Sequence, residues 1–367
     1  MSEAKKILVI NMGSTSSKLA YFEDSKKVYE KSYEHPASEL TALETVEAKC
    51  DYRRPLVEDF IKENGIDMTK LDAIAARGCG DASKNYRTGA YKINAEVAEG
   101  CKRTMGHQGL LTSTVIGQEL SEKYGVPAYL YDVVPVNEFP EIAKYTGLPF
   151  IKRDGGSHTL NTRARAIEVA KDLGMDYKDG NFIVAHMGGG ISINVHDHGR
   201  MVDATVGGEG SFSPDRAGAI PSNALRALCY SGKYTSKELS RMMGGHGGLI
   251  AYLGTNNCKE IEERISAGDA HAEEVYHAMA YQISKVIGSL AVPVKGKVDA
   301  IILTGGIAYS KLFTGWIKDY VGFIGPVVIK PGAIEVEALA GGVLRVLNGE
   351  EQVNSYEEVL KTKKTEG

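Results

Sequence analysis

Residues 7–22, ILVINMGSTSSKLAYF, place a run of small and polar residues between two apolar stretches. The apolar residues Ile7–Ile10 and Leu19–Phe22 predict two short strands. The intervening residues Asn11–Lys18 predict the tight turn of a hairpin, because glycine and serine favour turns. This stretch decides the fold, because the same design occurs a second time in the chain.

The second copy lies more than one hundred residues downstream. Apolar Phe182–Ala185 is followed by the turn His186–Gly190 and by a further apolar stretch, Ile191–Val195. A second pair of segments also matches, since LDAIAARG at 71–78 resembles VDAIILTGG at 298–306. Chance resemblance between short strands is the alternative explanation. Two matching pairs favour a duplicated α/β architecture with helices covering mostly central sheets.

Helices are predicted between these strands from apolar residues that recur at spacings of three and four, as at Val275, Met279 and Ile283. The predicted helices are 93–123, 161–173, 271–290, 335–348 and 356–361. The duplication predicts an N-terminal lobe of residues 1–134 plus 338–367 and a C-terminal lobe of residues 135–337. Two such lobes are expected to enclose a central cleft, a common position for small-molecule ligands.

The composition excludes several classes of protein. The chain has 43 basic and 47 acidic residues and no long basic run, so neither a nucleic-acid partner nor a membrane partner is expected. Its five cysteines form no CxxC pair, and it has neither a signal-peptide core nor an apolar stretch long enough to cross a bilayer. These features predict a reduced, cytoplasmic protein. The 42 glycines exceed the usual share and are expected in tight turns.

Three of these turns have the composition of phosphate-binding loops, in which backbone N–H groups converge on an anion. The turn at Asn11–Lys18 adds four hydroxyls and a lysine, and it lacks the GxxxxGK[ST] pattern of a Walker A loop. The turn at His186–Gly190 is the second, and Gly305-Gly306 is the third. One such turn is weak evidence, but three in a duplicated chain indicate nucleotide binding.

Seven segments together resemble the butyrate kinase family, a branch of the acetate kinase group in the acetokinase–sugar kinase–Hsp70–actin superfamily. They are ILVINMGSTSSK, IVAHMGGGIS, GEGSFSPDRAG, GGLIAYLGTNN, MAYQISKVIGS, VDAIILTGGIAYSK and EALAGGVLRVLNGEE. The resemblance implies a duplicated two-lobe, actin-like (ribonuclease H-like) α/β fold. It also implies reversible, ATP-dependent phosphorylation of a short-chain carboxylic acid such as butyrate, giving an acyl phosphate and ADP. Mg²⁺ and a homodimer or higher homo-oligomer are implied as well.

The resemblance assigns roles to individual residues. The implied catalytic residues are Asn11, Arg77, Asp132, His158 and Arg216. The implied nucleotide-binding residues are Ser14, Ser16, Lys18, His186, Gly188, Gly189, Gly190, Gly305, Gly306 and Ile307. Asp132 and Glu335 are the implied metal ligands. Arg77 and Arg216 would bind the acid and the transferred phosphoryl group. The transfer reaction needs positioning and charge stabilisation more than it needs a base.

Structural explanations exist for the same side chains. Arg77 could form a salt bridge at a strand end, and Arg216 could pair with the neighbouring Asp215. His158 could be a hydrogen-bonded loop residue, Asp132 a turn residue and Lys18 a solvated strand residue.

The chain departs from the family pattern around the expected acid site. The departures lie at 79–80, 105–110, 133–138, 154–157 and 333–334. The nucleotide-binding motifs are intact, whereas the departures lie around the acid site. The identity of the acid is therefore left open. The alternative functions are a sugar kinase, which would need a carboxylate as general base, and a non-catalytic or repurposed nucleotide-binding homologue.

Overall fold

The computed structural model describes residues 3–13, 16–102 and 108–362. By its internal contacts the chain divides into two compact units. Unit 1 comprises Met1–Glu138, Thr146–Leu160 and Ile334–Gly367, and unit 2 comprises Phe139–Tyr145 and Asn161–Ala333. Residues 135–138, 146–160 and 334–337, which the prediction placed in the C-terminal lobe, belong to unit 1.

The elements alternate along the chain between strands and helices. The strands are β1 (Lys6–Met12), β2 (Ser16–Glu23), β3 (Lys26–Glu34), β4 (Ala73–Ala76), β5 (Ala90–Lys92), β6 (Ala128–Tyr131), β7 (Asn181–Met187), β8 (Ile191–Asp197), β9 (Arg200–Ala204), β10 (Ala300–Gly305) and β11 (Val327–Pro331). The helices are α1 (Ala37–Ala42), α2 (Val46–Glu63), α3 (Ala95–Lys102), α4 (Gln108–Tyr124), α5 (Thr159–Asp172), α6 (Ser222–Cys229), α7 (Ser236–Met243), α8 (Gly248–Leu253), α9 (Cys258–Ser266), α10 (Ala270–Leu290), α11 (Lys311–Val321), α12 (Glu335–Leu347) and α13 (Tyr356–Leu360).

Unit 1 contains a six-stranded sheet in the order β3-β2-β1-β4-β6-β5. Strands β1, β2 and β3 form an antiparallel meander, and β4 and β6 run parallel to β1. Apolar Ile7–Ile10 is fully buried in β1, as expected for a strand that is covered on both faces. The predicted hairpin of residues 7–22 is therefore confirmed, with β1 and β2 as its strands.

Unit 2 repeats this plan in a five-stranded sheet, β11-β10-β7-β8-β9. Strands β7, β8 and β9 form the antiparallel meander, and β10 and β11 run parallel to β7. Strand β4 in unit 1 and strand β10 in unit 2 hold the same place beside the first strand of the meander. The duplication predicted from the two pairs of matching segments is confirmed.

Helix α10 forms one side of the unit 2 core. Val275, Met279 and Ile283 are buried in a cluster that includes residues of β7 and β10, as their spacing predicts. Within the predicted helix 93–123 the structure describes α3 and α4, and residues 103–107 lie outside the described part of the chain. Within the described residues, no helix combines the length and the apolar character needed to span a membrane.

Candidate active site

Three parallel strands of unit 1 end at the same edge of its sheet, which is where open α/β sheets bind ligands. In the register, Ile10 of β1 pairs with Ala76 of β4, and Ala76 pairs with Leu130 of β6. Asn11 in β1 and Arg77 after β4 are therefore neighbours, and the Arg77 backbone N–H donates to the Ile10 carbonyl at 2.9 Å. Asp132 follows β6 at the same edge.

Four side chains from four separate segments of unit 1 meet there. Arg77 Nη1 lies 2.7 Å from Glu335 Oε2, and the Asn11 amide donates to the same oxygen at 2.9 Å. His158 Nε2 lies 3.0 Å from Glu335 Oε1 and 3.2 Å from Arg77 Nη2. We call these four residues the anion cluster, because three hydrogen-bonding side chains surround one carboxylate.

His158 Nε2 lies between a hydrogen-bond donor, Arg77, and an acceptor, Glu335. Nε2 can either accept a hydrogen bond from Arg77 or donate one to Glu335, because one neutral nitrogen cannot do both. Two acceptors 3.0 Å apart would repel each other, so the Glu335 carboxylate favours a proton on Nε2. His158 thus presents an N–H donor beside the Arg77 guanidinium.

The charge state of Glu335 follows from its surroundings. Its side chain is 15% exposed, and burial by itself would raise the pKa of the carboxyl. The hydrogen bond from His158 and the positive charge of Arg77 outweigh burial and hold the pKa of Glu335 well below its ordinary value. Glu335 is therefore an anion at neutral pH, and it lies at the first position of α12, where the helix dipole also favours negative charge.

Asp132 is buried and adopts a left-handed backbone conformation, with φ of 45°. Its Oδ1 accepts a hydrogen bond from the Gly89 backbone N–H at 2.7 Å, and its own N–H donates to the Gly89 carbonyl at 3.1 Å. This pair of bonds ties the end of β6 to the residue before β5. Among the described residues, no three histidine, cysteine or acidic side chains come together as a metal-binding group.

The predicted phosphate hairpin connects β1 to β2. The Gly13 backbone N–H donates to the Ser16 carbonyl at 2.7 Å, and the Met12 N–H donates to Ser113 Oγ of α4 at 3.0 Å. Lys18 is half-buried on β2 and pairs in register with Asn11 of β1. The predicted residue Ser14 lies outside the described part of the chain.

The second glycine turn, at residues 188–190 of unit 2, joins β7 to β8. The Gly188 N–H donates to the Gly190 carbonyl at 3.0 Å, and Ser213 Oγ donates to the Gly189 carbonyl at 2.7 Å. The His186 ring nitrogen Nδ1, just before this turn, lies 2.8 Å from the Asn161 amide. The turn is thus held from two sides by side chains of unit 2.

Arg216 lies against this second turn. A Cβ on Gly190 would come within 2.7 Å of the central guanidinium carbon of Arg216, so the guanidinium lies directly against this glycine. The side chain is 65% exposed, and its nearest carboxylate is Asp215, 3.9 Å away. The local salt bridge considered as an alternative for Arg216 is therefore long and solvated.

The third glycine turn follows β10. Gly305 has φ of 89°, and a Cβ there would overlap the backbone of Met187. Gly305 and Gly332 exchange two backbone hydrogen bonds, of 3.3 and 3.0 Å, which join the ends of β10 and β11. Gly306 is exposed, whereas Ile307 is buried.

Comparison with known proteins places this arrangement in a family. Residues 133–312 match the model of the acetokinase family. The chain is 41% identical over 354 residues to butyrate kinase 2 of Clostridium acetobutylicum, and the match covers 96% of this chain and 99% of that protein. The chain belongs to the butyrate kinase family. It is also 42% identical, over the same shares, to the protein named "Probable butyrate kinase 2" of Caldanaerobacter subterraneus subsp. tengcongensis.

Solved structures show the fold that the family resemblance implies. The acetate kinase of Porphyromonas gingivalis superposes with a TM-score of 0.75 at 19% identity, covering 94% of this chain and all of that one. A propionate kinase from Francisella tularensis gives a TM-score of 0.73 at 18% identity, covering 92% of this chain and 98% of that one. The predicted duplicated actin-like fold is confirmed for this member of the butyrate kinase family.

Several structural residues around these turns carry no signal in the sequence. Arg53 of α2 contacts the phosphate hairpin, and Ser113 of α4 accepts the hairpin's Met12 N–H. In unit 2, Arg165 of α5 donates to the Pro331 and Gly332 carbonyls at 2.9 and 3.2 Å. These side chains belong to helices, and only the packing of each helix against its sheet brings them to a turn.

Proposed function

We propose that this chain transfers the γ-phosphoryl group of ATP reversibly to the carboxylate of a short-chain acid such as butyrate. A carboxylate oxygen forms a bond to the γ-phosphorus, the bond from that phosphorus to the bridging oxygen breaks, and ADP leaves with the electron pair. The observation that supports this proposal best is the convergence of Asn11, Arg77 and His158 on one carboxylate in a member of the butyrate kinase family.

The donors of the anion cluster suit both reacting anions. Arg77, His158 and Asn11 already hold the Glu335 carboxylate at hydrogen-bond distances, so their spacing matches carboxylate oxygens. The N–H groups of Arg77 and Asn11 that do not contact Glu335 can stabilise charge on the transferred phosphoryl group. The acid needs no general base, because its carboxyl group is already ionised at neutral pH.

In this proposal Glu335 is a positioning residue. Its two oxygens orient Arg77 on one side and His158 on the other, and its negative charge offsets part of the Arg77 charge. A guanidinium and an imidazole 3.2 Å apart would otherwise be free to move away from each other. Fixed donors lower the cost of reorganisation when the phosphoryl group moves.

The glycine turns are proposed to bind the nucleotide. Ser16 and Lys18 of the phosphate hairpin, with Ser14, would contact phosphate oxygens, as would His186 and residues 188–190. Arg216 beside Gly190 would add a cation to the transferring group. Gly305, Gly306 and Ile307 would contact the adenosine, since the exposed Gly306 backbone has no side chain to block a flat ligand.

The family resemblance implies Mg²⁺, and Asp132 and Glu335 are the carboxylates predicted to hold it. Mg²⁺ in phosphoryl-transfer sites is held mostly by phosphate oxygens and water, with one or two protein carboxylates. Asp132 fits as one such carboxylate, because it lies at the strand edge that carries Asn11 and Arg77. Both oxygens of Glu335 take other contacts, so Glu335 could reach a metal only by leaving Arg77 and His158. When bound, Mg²⁺ would neutralise charge on the phosphate oxygens.

The experiment is to incubate the purified protein with Mg-ATP, hydroxylamine and acids from acetate to isovalerate. Trapped acyl hydroxamate and an equal amount of ADP are expected, with one acid preferred. Arg77→Met should abolish most of the signal, whereas the surface variant Arg54→Met should retain it. ATP binding without hydroxamate from any acid would overturn the proposal and favour a non-catalytic or repurposed homologue.

Three further expectations from the sequence stay predictions. They are the cleft between the lobes, the cytoplasmic location and the homo-oligomeric assembly. The five cysteines are all free.

A further inference from the structure

A buried arginine outside the anion cluster contacts the phosphate hairpin. Arg53 lies on α2 and is 1% exposed. Its Nη2 donates to the Gly13 carbonyl at 2.7 Å, within the turn between β1 and β2. Its Nη1 donates to Thr112 Oγ1 at 2.9 Å and to the Gly109 carbonyl at 3.3 Å, both in α4. One guanidinium thus joins two helices to the hairpin.

The charge of Arg53 has no carboxylate in contact within the described residues. The next residue on the same helix, Arg54, contacts both Asp51 and Glu119, and the buried Arg165 of unit 2 contacts Glu168. Arg53 Nε has no hydrogen-bond partner in the described part of the chain. Burial lowers the pKa of Arg53 from its usual value. A buried cation without a counter-ion is costly, and a bound anion would reduce that cost.

The contact to Gly13 places that charge at the predicted phosphate site. A carbonyl oxygen that pointed into an anion-binding turn would repel phosphate, and the Arg53 guanidinium holds the Gly13 carbonyl and offsets its partial negative charge. The adjacent Met12 N–H is held by Ser113 of α4. Helix α4 therefore anchors the Met12 N–H, and helix α2 anchors the Gly13 carbonyl.

We propose that Arg53 is a positioning residue for nucleotide phosphate, and this proposal rests on the proposed function. Arg53 fixes the Gly13 carbonyl, and thereby the start of the hairpin turn, and its buried charge attracts the phosphates of ATP or ADP across the turn. The phosphates then supply the negative charge that Arg53 lacks in the protein. Arg53 itself touches neither reacting atom.

The test compares ligands with and without phosphates. In calorimetry, Arg53→Met is expected to weaken the binding of ATP and of ADP by about 10-fold or more, the effect of one hydrogen bond to a charged group. Adenosine, which has no phosphate, should bind Arg53→Met as it binds the wild type. Arg53→Lys, which keeps the charge, should recover part of the ATP affinity. The matched control Arg54→Met, one residue along the same helix, should bind all three ligands normally.

Kinetics separate this role from a merely structural one. Arg53→Met should raise the KM for ATP while the KM for the acid stays unchanged. A structural role alone would lower the amount of active protein and leave both KM values unaltered. If Arg53→Met does not fold, Thr112→Val tests the same contact, because it removes one hydrogen bond from the guanidinium and keeps the charge. Thr112→Val should weaken ATP binding about 2- to 5-fold and leave adenosine binding unchanged.

Two results would overturn the proposal. One is wild-type ATP affinity in the folded Arg53→Met variant or, where that variant does not fold, in Thr112→Val. The other is an equal loss of ATP and adenosine affinity, which would indicate general damage to the site. If the wild-type protein binds ATP but forms no acyl phosphate, the proposed function is contradicted. Calorimetry on the Arg53 variants then still tests the role of Arg53 in phosphate binding. If the wild-type protein does not bind ATP, both the proposed function and the proposed role of Arg53 are contradicted.

Discussion

The Arg77 guanidinium and the Glu335 carboxylate form an ion pair of 2.7 Å that joins the end of β4 to the start of α12. Both side chains are largely buried, at 17% and 15% exposure, so the pair is shielded from solvent far more than a surface salt bridge. Removing one partner of such a pair leaves the other charge uncompensated. The sequence analysis considered a salt bridge as the structural alternative for Arg77, and the pair and the proposed catalytic role coexist in one cluster.

The first prediction concerns the shape of the Arg77 side chain. Arg77→Lys keeps the positive charge and loses the planar fork that contacts Asn11, His158 and Glu335 together. Turnover is expected to fall about 10²- to 10³-fold, the effect of one lost transition-state donor. The hydroxamate assay measures it, with Arg54→Lys as the control. Turnover within a few-fold of wild type in Arg77→Lys would show that charge alone is sufficient.

The second prediction separates positioning from metal binding at Glu335. Glu335→Gln keeps the size of the side chain and loses its charge, so Arg77 and His158 are oriented less firmly. We expect turnover to fall about 10-fold or more, with the apparent Mg²⁺ requirement unchanged. Glu337→Gln is the matched control, since Glu337 lies on the same helix and pairs with Lys27 at the surface. A large increase in the Mg²⁺ concentration needed for activity would instead support the predicted metal role of Glu335.

The third prediction gives the pH dependence of the same carboxylate. Because the pKa of Glu335 is lowered in the folded protein, its ionised form stabilises the fold above the unfolded pKa of about 4.3. The stability difference between wild type and Glu335→Gln should be constant from pH 7 to pH 5. It should shrink as the pH falls below about 4.3. Urea unfolding of both proteins at several pH values measures this stability difference. A difference that does not change with pH would contradict the prediction.

The fourth prediction concerns the buried His196 of β8. Burial, with the nearby charge of Arg163, lowers the pKa of His196 to about 3, and Tyr177 lies 2.8 Å from its Nδ1. The unfolded chain binds a proton at this position below about pH 6.5 and the folded chain does not. Wild type should therefore lose stability relative to His196→Gln as the pH falls from 6.5 to 5, with a slope that approaches about 1.4 kcal/mol per pH unit.

Urea unfolding at each pH gives this comparison. His271→Gln on α10 is its control, because His271 is exposed and its replacement keeps the buried contact between His196 and Tyr177. Equal slopes for wild type and His196→Gln would show that His196 is protonated in the folded protein.

The fifth prediction concerns the third glycine turn. Gly305→Ala places a side chain at φ of 89° and against the Met187 backbone, so strain and overpacking together should cost about 2–4 kcal/mol of unfolding free energy. Gly296→Ala is the matched control, because Gly296 has φ of 72° and open space around it. It should cost about 1 kcal/mol, which is strain alone. Equal losses in the two variants would show that the Met187 backbone moves aside.

Much of the fold was accessible from the sequence because the repeated design is local. Apolar runs such as Ile7–Ile10 must be buried, and the glycine turns that follow them fix where each hairpin reverses. Helix α10 followed from the spacing of its apolar residues.

The candidate site was accessible only in part. Asn11 and Arg77 could be selected because they follow apolar strands at positions that match the family motifs. Glu335 was selected as a metal ligand from the same motifs, whereas its contacts with Arg77 and His158 depend on how α12 packs beside β1. Arg53 could not be selected at all, since nothing in the spacing of α2 distinguishes it from the half-buried Arg54.

The sequence by itself determined the two copies of the sheet, the glycine turns and the family of the chain. These depend on residues that are close together in the chain, where periodicity and turn propensity act directly. Tertiary structure alone decided which side chains meet at the turns. Arg77 with Glu335, and Arg53 with Gly13, are brought together by helices that pack against a sheet, and burial then makes their charges depend on their neighbours.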